Sequence, residues 1–291
     1  MRIGVLSLGR PTFDVDFAES KRAAMFRQLD TTGHELIGPR SLLFDEDATR
    51  RAIDSLAASS VDQGLILQAT FTDASIAVAV AAAFDQPISI WAVPEPRSGG
   101  RLRLNSFCGL NLASHALGLK GREFSWLYLD PEADITDRIE KLLSGELRTT
   151  PMEPGDVPEP TIEGRAVARA IQGRTIARIG EHPVGFDTCA YDAREINDLA
   201  GVDVAELELG DLFDAARSAS VEATQNIRAK ADQQVFGLDD VDQAELDRSL
   251  RLKIGLDDLK ARGGYDAFAI RCWPETFTEY GGAVCGPAAI M

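Results

Sequence analysis

Histidine is scarce in this sequence, 3 residues in 291, and cysteine is nearly as rare at 4. His34, His115 and His182 lie far apart, so no HxH or HExxH zinc pattern exists. Cys108, Cys189, Cys272 and Cys285 form neither a CxxC pair nor a disulfide framework, and reduced thiols in a cytoplasmic protein are the simplest account. Positive charge is also short: 30 Lys and Arg stand against 46 Asp and Glu, a formal charge of −16. Such a surface repels phosphate backbones, so no nucleic-acid partner is expected. No window approaches the ~18 apolar residues of a membrane span, so no membrane partner is expected either. The opening Met1-Arg2-Ile3-Gly4-Val5-Leu6 enters a strand-like run directly, without the apolar segment of a signal peptide. GxSxG, GxxxxGK[ST] and GxGxxG are absent, which removes the serine-nucleophile elbow, the phosphate loop and the dinucleotide fingerprint.

What is present is ordinary globular material. Hydrophobic residues make up 45% and charged residues 26%, and 291 residues fit two domains comfortably. Short apolar runs at residues 3–8, 35–37, 64–67, 87–93 and 124–129 alternate with amphipathic segments. One such segment carries Ala18, Met25, Phe26 and Leu29 on a single face; another carries Ala52, Ile53 and Leu56. Asp73 is placed to cap an Ala-rich helix ending at Phe84, and a further helix is expected at about 106–117. This βαβα alternation without hairpin signals argues for a parallel sheet with helices on both faces.

Four prolines within residues 151–160 cannot continue a helix or a central strand. They mark a linker at 149–161, between an N-terminal domain at 1–148 and a second domain at 162–291. Beyond it the alternation resumes, with strands expected at 175–180, 204–209 and 267–272. Helices are expected around 194–199 and, as one long charged stretch interrupted near Gly237, at about 212–261. The expected fold is α/β, two Rossmann-like (flavodoxin-like) parallel-sheet domains in tandem.

Ligands of open parallel sheets bind at the carboxyl ends of the strands, so the loops there hold the candidate residues. Arg10, in Gly9-Arg10-Pro11, is suited to an anionic or polyhydroxyl ligand. Residues 68–73 after the third strand are rich in hydrogen-bonding groups. His182 sits in a Gly-Glu-His loop directly after a strand. Trp273 and Glu275, in Arg271-Cys272-Trp273-Pro274-Glu275, pair a flat apolar face with an acceptor, which suits sugar recognition. Asp14 with Asp16, Asp73 and Glu275 also have a plain reading as helix caps, and Trp273 as core filler.

That last segment, followed by Glu279-Tyr280-Gly281 and a Cys-Gly-Pro helix start, resembles the L-fucose isomerase and L-arabinose isomerase superfamily, especially its fucose-isomerase-like branch. Ala69-Thr70-Phe71-Thr72 is similar to the HTF turn of arabinose isomerases. Residues 105–115 and then Gly121-Arg122-Glu123-Phe124 resemble a helix and a GREF strand entry of the family. Arg178-Ile179-Gly180 resembles its substrate-lining turn. The resemblance implies a metal-assisted aldose–ketose isomerase working through an enediol, with manganese as cofactor. It also implies a homo-oligomer in which Arg10 lies at a subunit interface. The family's metal-binding carboxylates and histidines follow the apolar helix that begins at Gly286, and no acidic residue follows Glu279 here. No catalytic or metal-ligating residue is therefore carried over, and the 291-residue chain is expected to be cut short and inactive alone. Arg10, His182, Trp273 and Glu275 remain as the expected substrate-facing residues. The alternative is a non-catalytic two-lobed sugar-binding or assembly protein.

Overall fold

The computed structural model describes residues 1–148 and 158–291. The expected Pro-rich linker at 149–161 falls largely outside the described residues. The chain divides into two compact units, Met1–Gly155 with Val184–Cys189, and Asp156–Pro183 with Ala190–Met291.

The first unit is built on strands β1 (Arg2–Leu8), β2 (Glu35–Ile37), β3 (Gln63–Gln68), β4 (Ile88–Ala92) and β5 (Phe124–Tyr128). They pair in parallel in the order β2-β1-β3-β4-β5. Its helices are α1 (Val15–Asp30), α2 (Glu46–Ala57), α3 (Ser75–Ala83), α4 (Ser106–Leu119) and α5 (Thr136–Leu143). Alternation along the strands splits the core in two. Ile3, Val5, Leu65, Leu67, Trp91 and Leu127 pack with Met25, Leu29, Ile139 and Leu142 of α1 and α5. Leu6, Ile66, Ile90 and Phe124 pack with Leu56, Val80, Leu110 and Leu117 of α2, α3 and α4. Helices thus cover both faces, as the apolar pattern required. The chain order reverses between β1 and β3, the topological switch of a flavodoxin-like sheet.

The second unit carries α6 (Ile162–Ile171), β6 (Thr175–Ile179), α7 (Ala193–Ala200), β7 (Asp203–Leu207), α8 (Leu209–Arg217), α9 (Val221–Ala231), α10 (Gln243–Gly263), β8 (Ala267–Ile270) and α11 (Cys285–Ala289). Its three described strands are parallel, in the order β7-β6-β8. One face packs Ile179, Leu207, Phe268 and Ile270 against Leu212, Phe213, Leu252 and Leu256 of α8 and α10. The switch point lies between β6 and β8.

The two sheets make this a tandem Rossmann-like α/β chain. The long helix expected at about 212–261 is three helices. Ser220 caps α9 by accepting from the Ala223 N–H, and Asp242 caps α10 by accepting from Ala244 and Glu245. The interruption expected near Gly237 is the break between α9 and α10, and a second break, not expected, separates α8 from α9 at Ser220. α5 and α6, not marked in the sequence, are both short and amphipathic.

Candidate functional site

Arg10 leaves β1 at the switch point of the first unit. Its backbone N–H donates to Thr70 Oγ1 at 2.8 Å, and its guanidinium donates to the Asp73 carboxylate. The same guanidinium lies 5.9 Å from the centroid of the Phe71 ring, inside the range of a cation–π contact. Asp73 Oδ1 also accepts from the Ser75 backbone at 2.9 Å and from the Ser75 hydroxyl. Asp73 was expected to cap α3; the cap position is Ala74, which makes no side-chain bond, while Asp73 one residue earlier accepts from the Ser75 N–H and pairs with Arg10.

The turn between them is fixed from beneath. Buried Gln68 donates to Thr70 O at 2.6 Å and to Thr72 Oγ1 at 2.9 Å. Gly109 of α4 makes room for it, because a Cβ there would fall 2.7 Å from Gln68 Nε2. Gly185, at φ +82°, closes on Asp73 from another side; a Cβ there would fall 2.7 Å from Asp73 Oδ1. Its carbonyl accepts from the Ala74 N–H at 3.0 Å, while Phe186 packs 5.8 Å from Phe71. Glu95 holds the neighbouring loop, accepting from the backbones of Arg103, Leu104 and Asn105, the last two at 2.9 Å. Beside Arg10 a cavity of about 220 Å³ is lined by Gly9, Phe44, Asp45, Glu46, Thr72, Asp73 and others. Asp45, Glu46 and Asp73 outnumber Arg10 there, so the hollow is acidic on balance.

In the second unit, His182, Trp273 and Glu275 fall on the two loops that flank the β6–β8 switch point. His182 is exposed after β6. Trp273 and Glu275 follow β8 and are half-buried. The loop is tied to β6, with Arg271 N–H donating to Ile179 O at 2.9 Å. A cis peptide joins Trp273 to Pro274. Arg271 donates to Glu275 Oε1, and both side chains are mostly buried, 24% and 18% exposed. Arg271 Nε and Glu275 Oε2 are buried with no hydrogen-bond partner, a state that buried polar groups rarely adopt without reason. Thr276, fully buried, donates from its hydroxyl to Cys272 O. Tyr280 stacks on Phe213 at 5.4 Å and donates to Arg248 O at 3.1 Å. Burial pushes the Tyr280 phenol up. Burial also pushes the Cys272 thiol up, with the Cys285 thiol adding to the effect.

A family model for the fucose/sulfoquinovose isomerase N-terminal domain matches residues 4–173. The chain belongs to the fucose/sulfoquinovose isomerase family. It is 30% identical over 282 residues to sulfoquinovose isomerase of Alkalicoccus urumqiensis, covering 96% of this chain and 58% of that protein. It is 28% identical over 283 residues to sulfoquinovose isomerase of Priestia aryabhattai, with the same coverage. It is 27% identical over 295 residues to that of Clostridium sp. (strain MSTE9), covering 100% of this chain and 61% of the relative. The chain spans about three-fifths of the length of these relatives. The glucose-galactose binding protein GanP of Geobacillus stearothermophilus aligns over 95% of this chain and 80% of its own at 15% identity and a TM-score of 0.29, too low to carry an argument.

In this fucose/sulfoquinovose isomerase family member, the manganese implied by the resemblance needs a cluster of carboxylate and imidazole donors. Among the described residues no three His, Cys, Asp or Glu side chains group so as to hold a metal ion. The described residues therefore do not fit the ion. Among the described residues no helix is long and apolar enough to cross a membrane.

Four groups at these strand ends escaped the sequence reading: Phe71, Glu95, Arg271, and Asp73 in its pairing role. For Arg271 a signal existed, since an acid four residues after an arginine at a strand end is a ready ion pair. For Glu95, Pro94 and Pro96 on either side concealed a carboxylate that binds backbone ten residues on.

Proposed function

We propose that this chain forms the sugar-holding part of an aldose–ketose isomerase whose substrate is an anionic, sulfonated sugar. The observation that supports it most is coverage. Proteins described as sulfoquinovose isomerases run along 96% to 100% of the chain, through both strand-end clusters.

Isomerisation transfers a proton between adjacent carbons, so the sugar must be held with one C–H beside a base. In this reading the loops hold and orient. Arg10, on the first unit, offers a cation to an anionic group across a subunit interface, as the family resemblance implies, with Asp73 limiting its net charge. Trp273 offers a flat face to the apolar side of the sugar ring. Glu275 accepts from hydroxyls, and His182 lies on the neighbouring loop of the same unit. The expected manganese is given no ligand among the described residues. The protein is a cytoplasmic homo-oligomer in this proposal.

The test compares the 291-residue chain with a longer form carrying the C-terminal two-fifths of a relative. Each is incubated with Mn²⁺ and sulfoquinovose, glucose, fucose or arabinose, and ketose formation and sugar binding are measured. The expected result is ketose formation from sulfoquinovose by the longer form, and binding without turnover by the short one. Turnover by the short chain would overturn the division of labour. Absence of both binding and turnover in both forms would sink the isomerase reading.

A further inference from the structure

Acidic residues are spread along the whole chain except in one stretch. Between Glu95 and Glu123 there is none, the longest such gap in a sequence with 46 Asp and Glu. Its first part, Pro96-Arg97-Ser98-Gly99-Gly100-Arg101-Leu102-Arg103, carries three arginines and two adjacent glycines. This segment joins β4 to α4, so it lies at the carboxyl end of the first sheet, the end where Arg10 leaves β1.

The base of the loop is firmly bound. Glu95 accepts from the backbones of Arg103, Leu104 and Asn105. Arg103 donates to Asp14 Oδ2 at 2.9 Å, and its guanidinium lies 3.9 Å from the centroid of the Phe17 ring. The Arg103 carbonyl accepts from the Asp14 N–H at 3.0 Å, and the Leu104 carbonyl accepts from the Phe71 N–H at 2.8 Å. The loop is thereby pinned to the turns after β1 and β3, which carry Arg10 and Asp73. Its tip touches little. Gly99 and Gly100 hold φ of +73° and +77°, and a Cβ on either would meet no atom within 4 Å.

The charges of these loops are unevenly matched. Arg10 is paired with Asp73, and Arg103 with Asp14. Arg101 donates to the Thr12 carbonyl at 2.8 Å, and exposed Arg97 makes neither a hydrogen bond nor an ion pair among the described residues. Of the four arginines, Arg97 and Arg101 are thus the two with no carboxylate against them among the described residues.

We propose that residues 96–102 form the anion-selecting loop of this chain, with the Arg97 and Arg101 guanidiniums donating to the sulfonate oxygens of the sugar. A paired arginine gains little from an incoming anion, because the carboxylate beside it repels that anion at similar range. An unpaired guanidinium brings its full charge and a planar fork of donors that matches an oxyanion. The Gly-Gly tip lets the backbone between the two arginines adjust to a ligand. The inference rests on the sulfonated-sugar reading and names the groups that select the anion within it.

The test is calorimetric titration of the 291-residue chain with sulfoquinovose and with glucose, for the wild type, Arg97→Gln, Arg101→Gln and the double variant. Lys120→Gln is the charge control, since Lys120 is exposed at the far end of α4, away from the carboxyl ends of the strands. Sulfoquinovose binding is expected to weaken roughly tenfold in the double variant and about threefold in each single one. Glucose binding stays unchanged, and Lys120→Gln behaves as wild type. Limited trypsin cleavage after Arg97 and Arg101 is expected to slow when sulfoquinovose is bound and not when glucose is. Unchanged sulfoquinovose binding in the double variant, or cleavage that ignores sulfoquinovose, overturns the proposal and leaves the isomerase reading standing. Equal losses for both sugars, or the same loss in Lys120→Gln, overturn it too, because the loop would then hold the ring, or net charge would act at a distance. A wild-type chain that binds no sulfoquinovose sinks the sulfonated-sugar reading and this inference with it.

Discussion

Arg10 and Asp73 face one another across the mouth of the β1–β3 crevice, and the two oxygens of Asp73 serve different elements. Oδ2 accepts from the guanidinium that leaves β1, while Oδ1 accepts from Ser75 at the start of α3. The pair's own charges cancel, which leaves Asp45 and Glu46 to make the hollow acidic, and the pair ties two strand ends together. If Arg10 meets an anionic sugar, Asp73 opposes that anion at close range. Asp73→Asn keeps the acceptor for Ser75 and removes the charge. The expected result is tighter binding of a sulfonated sugar by about 1 kcal/mol, roughly fivefold, with binding of neutral sugars unchanged. Calorimetric titration checks it; weaker sulfonate binding in the variant would remove Arg10 from the anion's contacts.

Arg271 and Glu275 form the corresponding pair after β8, with less of their hydrogen-bonding capacity used. Removing one partner leaves a mostly buried charge alone. Glu275→Leu is expected to cost about 1–3 kcal/mol of stability. The double variant Arg271→Met with Glu275→Leu should recover part of that loss, since neither charge then remains. Urea unfolding of the four proteins of the cycle measures the coupling. Additive effects would show the pair to be energetically idle.

The succession of strands along the chain, their parallel pairing and the two-faced cover of the first sheet were legible because apolar runs such as Leu65-Ile66-Leu67 alternate with helical patterns. The placement of His182, Trp273 and Glu275 on loops beside one switch point followed from knowing where the strands end. The ion pairs did not follow. Arg10 and Asp73 are 63 positions apart, and no local pattern joins residues that only the sheet order makes neighbours. The capping residues Ser220 and Asp242 were present in the sequence, but in a stretch so rich in charged residues two caps of ordinary kind did not stand out.

Gly109 is a second place where packing, not propensity, chose the residue. A glycine within a helix costs stability relative to alanine, yet here an added methyl meets Gln68 Nε2 and Cδ and closes to 3.1 Å on the Thr72 backbone nitrogen. Gly109→Ala must push Gln68 off Thr70 and Thr72. The expected outcome is a loss of about 1–3 kcal/mol, where the same change on an exposed helix face would gain stability. Thermal unfolding decides between the two signs.

Asp266 ties the start of β8 to β6, and its titration gives the second unit a pH signature. Its carboxylate accepts from the Thr175 N–H at 2.9 Å and from Arg174 at 2.7 Å. The Thr175 hydrogen bond first, and Arg174 second, hold its carboxyl below the ordinary carboxylate value. A depressed folded-state pKa means the unfolded chain binds more protons in the window between the two values. The stabilisation is therefore fully present above the unfolded pKa, about 3.9, and disappears as the pH falls through the folded one. Asp266→Asn removes the titrating group while leaving an oxygen for Thr175. The stability gap between wild type and variant is expected to be constant from neutral pH down to about 5. It then closes steadily as the pH is lowered through the carboxylate range. Urea unfolding monitored across that range tests the claim, and a gap that persists at the acid end would mean that Asp266 acts through its shape and not its charge.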